Sequence, residues 1–185
     1  MAITRLGPNN STNISGINLT SQVTGTLPTG NGGTGATSFS PGKVLQVVTD
    51  EVSGQVSSTS TSYVDITGLS VTITPSSTSS KIYVIANLCS CRTQQSSSTS
   101  NNAFYNLVRG STELTSSRLN YYDAEDNTNR ETDGTITLTN LDEPNTTSAT
   151  TYKCQFKKFS SGTVYINESS DNSPVSSITV MEIAG

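Results

Sequence analysis

Histidine and tryptophan are both absent from this 185-residue chain, and cysteine occurs only three times. Without an imidazole there is no Ser-His-Asp or Cys-His pair and no zinc-hydrolase motif, so a hydroxyl or thiol nucleophile lacks its usual base. The three cysteines, Cys89, Cys91 and Cys154, cannot close a disulfide framework. With no histidine and no fourth cysteine they also fail as a structural zinc site, and no cofactor or metal is expected. Strand alternation puts Cys89 and Cys91, two positions apart, on one face, while Cys154 extends an inward row of Tyr152, Cys154 and Phe156. All three read as small packing residues.

Charge is scarce as well. Charged residues make up 13% of the chain, and the net charge is −4 with a pI near 4.7. No basic field is available to draw in a phosphate backbone, so nucleic acid is not an expected partner. No stretch approaches the roughly 18 apolar residues that span a bilayer. The opening MAITRLGPNNSTN lacks the apolar core of a secretory signal. Membrane insertion is not expected, and synthesis in a cytoplasm is.

Hydrophobic residues reach only 31%. Disordered chains pair low hydrophobicity with high charge, and the charge is missing here. Serine and threonine fill the gap instead. Threonine is β-branched and suits a pleated, solvated surface, while serine, asparagine and glycine supply turns. From Lys43 onward short apolar-alternating runs recur between polar turns. Strands are predicted at 43–49, 61–66, 69–74, 80–91, 103–109, 112–116, 134–140, 149–157, 162–168 and 176–184. No window holds a 3.6-residue apolar period over three turns. The expected fold is all-β, an antiparallel β-sandwich of jelly-roll-like form over residues 42–185.

Residues 1–41 differ in kind. They hold no acid, one base in Arg5, and the turn-rich run GTLPTGNGGTG from Gly25 to Gly35. Ile3, Leu6, Ile14, Ile17, Leu19, Val23 and Leu27 are too few and too irregular to build a core. The segment reads either as a flexible linker or as an extended arm ordered by a partner, with Arg5 and these apolar residues as its contacts.

Two predicted strands carry apolar residues on both faces. In 80–91, Ile82, Val84, Ala86 and Leu88 oppose Tyr83, Ile85 and Cys89; in 176–184, Ile178 and Val180 oppose Met181 and Ile183. A solvated sandwich needs one buried face per sheet. The second face suggests burial against another subunit through Tyr83, Ile85, Met181 and Ile183, as in a trimer whose inner sheets line the axis. The alternative is a central strand covered by a long loop.

Residues 94–102 and 116–133 read as long polar loops, which in a compact β domain are functional or disordered. In the second, Tyr121, Tyr122, Asp123, Glu125, Asp126, Asn127 and Arg130 form a candidate host-contact tip. The tyrosines offer apolar faces to sugar rings, and carboxylates and amides meet hydroxyls. The same oxygens are a weak calcium candidate, since their spacing is not that of an EF-hand. Carboxylate pairs within Asp123, Glu125 and Asp126, or Asp142 with Glu143, are the sole route to glycoside hydrolysis, and sequence neighbours rarely flank a sugar ring. The Asn-x-Ser/Thr triplets at Asn10, Asn13, Asn18, Asn145 and Asn167 are expected by chance in this composition.

VTGTLPTGNGGTG (Val23 to Gly35) resembles a phrase that recurs before or between modules of phage tail fibre and tail collar proteins. The body resembles a module of phage virion proteins, especially those of marine and cyanobacterial hosts. The resemblance lies in STSYVDITGLSVTITPSSTSSKIYV (Ser60 to Val84), LDEPNTTSATTYKCQF (Leu141 to Phe156), SGTVYINES (Ser161 to Ser169) and SSITVMEIAG (Ser176 to Gly185). It implies a non-enzymatic virion protein, homotrimeric, assembled in the host cytoplasm and extracellular as part of the particle. A short tail fibre or fibre tip is the first expectation. Its partners would be copies of itself, a tail adaptor or nozzle protein or the capsid, and a host surface glycan. A capsid decoration, cement or head-fibre protein is the second expectation, and a polysaccharide depolymerase the third. No coiled-coil or repeat shaft is visible.

Overall fold

The computed structural model describes residues 43–95, 100–122, 130–159, 162–168 and 174–185. The arm, with Ile3, Arg5, Leu6, Ile14, Ile17, Leu19, Val23 and Leu27, lies outside them. Among the described residues every regular element is a strand: β1 (Val44–Ser53), β2 (Val56–Ser58), β3 (Val64–Ile73), β4 (Lys81–Gln95), β5 (Ser100–Arg109), β6 (Thr112–Tyr122), β7 (Arg130–Asp142), β8 (Thr150–Lys158), β9 (Thr163–Ile166) and β10 (Val175–Ile183).

The pairing resolves into two four-column sheets. β4 is long enough to hold β7 along one edge and, along the other, β10 at residues 81–87 and β9 at residues 92–94. β1 adds to β10 and β2 to β9, so the first sheet runs β1/β2, β10/β9, β4, β7. The second runs β3, β8, β5, β6. All these pairs are antiparallel. Taking each joined column as one strand, the sheets follow the orders 1-8-3-6 and 2-7-4-5, the double Greek key of a jelly roll. The expected fold class is the observed one.

Alternation fills the space between the sheets. Ile82, Val84, Ala86 and Leu88 of β4, Ile178 and Val180 of β10, and Ile136 and Leu138 of β7 face inward. They meet Ile66, Leu69, Val71 and Ile73 of β3, Tyr105 and Leu107 of β5, and Tyr152, Cys154 and Phe156 of β8. Burial of each large side chain stabilises the fold by about 2 kcal/mol. The Tyr105 and Phe156 rings stack at 6.4 Å, and the enclosed Tyr105 hydroxyl donates to the Tyr165 carbonyl at 3.0 Å.

Three expectations are corrected. Residues 94–102 and 116–133 are not simply loops: β4 extends to Gln95, β5 begins at Ser100, β6 reaches Tyr122 and β7 begins at Arg130. Their Thr, Ser, Asn and Arg content hid strands that carry no apolar alternation. Cys89 and Cys91 do not share a face. The β4–β7 register shifts between Leu88 and Cys91, and Ser90 sits at φ 41°, so a bulge leaves Cys89 half-buried outside and turns Cys91 into the core. Finally, the runs 61–66 and 69–74 are one strand, β3, whose register shifts between Asp65 and Ser70 around Gly68 at φ 82°.

Candidate functional site

The four residues expected at a subunit interface all project from the outer face of the β1/β2-β10/β9-β4-β7 sheet. The register lines up Val47 with Met181, Met181 with Tyr83, and Tyr83 with Leu141, making one apolar row across four strands. With strands about 4.8 Å apart, the row spans roughly 14 Å. Thr49, Thr179, Ile85 and Thr139 form the next row by the same pairings. Ile183 stands beyond the first row, paired with Val44 on one side and Lys81 on the other.

Neither row carries a charge. Val47 is 56% exposed and Leu141 54%, whereas Tyr83, Ile85, Met181 and Ile183 are half-buried among their neighbours. The nearest charges form its border: the Lys81–Glu143 ion pair at 2.7 Å on one side and Glu51 on the other. The Lys81 ammonium holds the Glu143 carboxyl below its usual range, first by a hydrogen bond and then by its charge. An apolar centre, hydroxyl-bearing surroundings and a charged rim are what a surface needs to be buried without stranding an ion.

The contact-tip residues fare differently. Tyr121 and Tyr122 belong to β6, paired with Asn101 and Ser100, and Arg130 belongs to β7, paired with Gln95. They are strand residues rather than loop residues, because the β6 and β7 ladders outlast the apolar pattern. Asp123, Glu125, Asp126 and Asn127 lie outside the described residues, and with them the calcium candidate. The strand ends at Gln95, Ser100, Tyr122, Arg130, Lys158 and Thr163 gather at one end of the sandwich, as the pairs Gln95–Arg130, Ser100–Tyr122 and Gln94–Thr163 require.

The opposite end is built from buried ion and hydroxyl contacts that sequence reading did not single out. Arg109 donates to both carboxylate oxygens of Asp142 at 2.8 Å, and the Tyr152 hydroxyl donates to the same group at 2.6 Å. Burial and the bond to that carboxylate push the Tyr152 phenol far above its ordinary range. Asp142 and Glu143, paired in sequence as candidate glycosidase carboxylates, are thus separately engaged, one with Arg109 and one with Lys81. A depression of about 450 Å³ beside them is lined by Gly110, Pro144, Thr146 and Arg109, whose guanidinium is already committed to Asp142.

Glu182 is fully enclosed on the inward side of β10. The Ser76 amide and hydroxyl donate to one oxygen at 2.7 and 2.6 Å, and the Gln46 amide donates to the other at 2.6 Å. Burial alone would raise its pKa; the hydrogen bonds from Ser76 and Gln46 prevail and hold it at about 2. An alternating pattern with one acid in an apolar strand, ITVMEI, was the available signal. Asn167, at φ 55°, donates to the Val52 and Gly54 carbonyls and accepts from Ser176. Its amide is spent, which removes it as a glycan acceptor. Among the described residues no group of three potential ligands is placed to hold a metal ion.

No protein-family model matches the chain, and no curated protein does. Solved structures of infectious bursal disease virus give loose overlaps. The T13 viral particle is 12% identical, with 85% of this chain and 42% of that one covered at a TM-score of 0.35. The VP2 subviral particle is 11% identical over 80% and 42%, at 0.33, and the Gx strain 13% identical over 86% and 43%, at 0.34. This chain therefore spans less than half the length of those it overlaps. Overlaps this loose do not establish a common fold, and the jelly roll rests on strand pairing alone.

Proposed function

We propose that the chain is a non-enzymatic structural protein of a virus particle, a short tail fibre or fibre tip. Residues 1–41 attach it to the particle, and the body associates with copies of itself as a homotrimer. The uncharged row Val47, Met181, Tyr83 and Leu141 carries this reading, because a surface of that kind is removed from water at no cost in unpaired charge. The GTLPTGNGGTG arm and the body stretches that resemble phage virion proteins supply the particle and the fibre. The missing histidine, and the engagement of Asp142 and Glu143 elsewhere, support a non-enzymatic role.

The test is the mass of the full-length protein by light scattering, followed by its location on the particle by electron microscopy. A trimer at micromolar concentration that becomes monomeric in Met181→Lys is the expected result. A wild-type monomer would remove the homotrimer from the reading. Density spread over the capsid shell rather than at the tail would replace the fibre with a decoration protein.

A further inference from the structure

The opposite sheet presents a second surface of different chemistry. On the outer face of β3-β8-β5-β6, Phe104 faces Arg118 across β6 and Lys157 across β8. The Lys157 ammonium lies 4.4 Å from the centre of the Tyr63 ring and 5.4 Å from that of Phe104. Phe159 is 57% exposed and leans on Phe104 at 6.1 Å, held there by its backbone N–H, which donates to the Asn102 carbonyl at 3.0 Å.

One feature sets this cluster apart from ordinary surface. Lys81, Arg92, Arg109 and Lys153 have carboxylate partners, whereas Arg118 and Lys157, like Lys43 and Lys158, have none among the described residues; Arg118 and Lys157 are the two that flank Phe104 in the register. In a chain of net charge −4 they place two cations on the strands beside Phe104, with the Glu113 carboxylate further along the same face. Asn106, two residues along from Phe104 on the same face, is 2% exposed and donates from Nδ2 to the Glu113 carboxylate at 3.2 Å. The bland alternative is that Lys157 merely caps two rings, worth about 1 kcal/mol. It leaves Arg118 and the exposed Phe159 without a purpose.

We propose that this face binds a carboxylated pyranose of an acidic polysaccharide. The polarised C–H face of the sugar stacks on Phe104 and Phe159, where the ring quadrupole is negative. Its carboxylate sits between Lys157 and Arg118. These two residues stand on strands either side of β5, roughly 10 Å apart at the backbone, and both side chains are long enough to converge above Phe104. A neutral sugar leaves both cations idle, and a chain of phosphates leaves the rings idle. The site stands whether the protein is a fibre or a decoration protein, and whatever its oligomeric state.

Calorimetry on the full-length protein tests this with hexagalacturonate, its methyl ester, alginate and hyaluronate oligomers, polyphosphate and oligothymidine. At least one carboxylated oligosaccharide is expected to bind. For hexagalacturonate, the ester is expected about tenfold weaker or worse, in line with loss of a charge-assisted contact. Phe159→Ala and the double variant Arg118→Gln, Lys157→Met should each weaken binding by about tenfold or more while the native fold is kept, since Arg118 and Phe159 are exposed and loss of the Lys157 cap lowers the melting temperature by no more than a few degrees. Four results would overturn the proposal: no carboxylated oligosaccharide binding at millimolar concentration, equal binding of the ester, variants that bind like wild type, or polyphosphate or oligothymidine binding as well as the sugars.

Discussion

Glu182 shows how one residue sets a pH limit on the fold. Its carboxylate is held at about 2 against an ordinary 4.5, so the folded state favours the ionised form. Such a group contributes its full stability above 4.5 and loses it as pH falls through about 2. Melting temperature should therefore drop between those values. Glu182→Gln should flatten the drop and cost about 2 kcal/mol at neutral pH by leaving Ser76 and Gln46 poorly matched; an unchanged profile in the variant would show that other acids set the limit. The cysteines give a second test. Burial pushes the Cys91 and Cys154 thiols up to about 12, and Cys89 is half-buried on the outer side. Iodoacetamide at mildly alkaline pH should label Cys89 alone in the native protein and all three after denaturation, as peptide mass mapping would report.

At the scale of elements, irregularities decide where side chains point. Gly68 has φ 82°, and a β-carbon there would stand 3.3 Å from the Val52 Cγ2 atom. Gly68→Ala should cost about 1 to 2 kcal/mol in chemical unfolding, from backbone conformation plus crowding. A loss below a few tenths would mean that β3 relaxes around it. Asp142→Ala is a harsher change, since it orphans Arg109 and the Tyr152 hydroxyl where β7 meets β5 and β8; about 3 kcal/mol is expected. These details also mark how far sequence could be read. Strands with an apolar inner face, such as Lys81–Leu88 and Thr150–Phe156, were legible because alternation reports burial. The ends of β4 to β7 were not, because Gln94, Arg118 and Thr132 pair through backbone and leave no hydrophobic signature. The Ser90 bulge was invisible for another reason: one left-handed residue reverses every later side chain without altering composition. Tyr83, Ile85, Met181 and Ile183 could be placed on one face from their spacing, but Val47 and Leu141 could join them only once the register was known.

For the molecule as a whole, the two outer faces divide the surface by chemistry. One sheet presents rows without charge, bordered by Lys81, Glu143 and Glu51; the other presents Arg118, Lys157 and aromatic rings. Salt should therefore act on them in opposite ways. Association through the apolar rows should hold or strengthen from low to high salt in sedimentation, while binding of acidic sugars to the cationic face should weaken over the same range. A trimer that dissociates on adding salt would point instead to contacts between charged rims.

The pairing of β1 with β10 has a consequence for the order of synthesis. The first strand of the body to leave the ribosome finds its partner only when the last one follows, and β10 also separates β1 from β4. The first sheet therefore cannot close until β10 has emerged, and slow, non-local pairing waits for it. Met181 and Ile183 complete the apolar face from that same last strand. If copies associate through this face as proposed, a chain interrupted before them would offer no finished surface to its neighbours, and association would have to wait until residue 183 had been made.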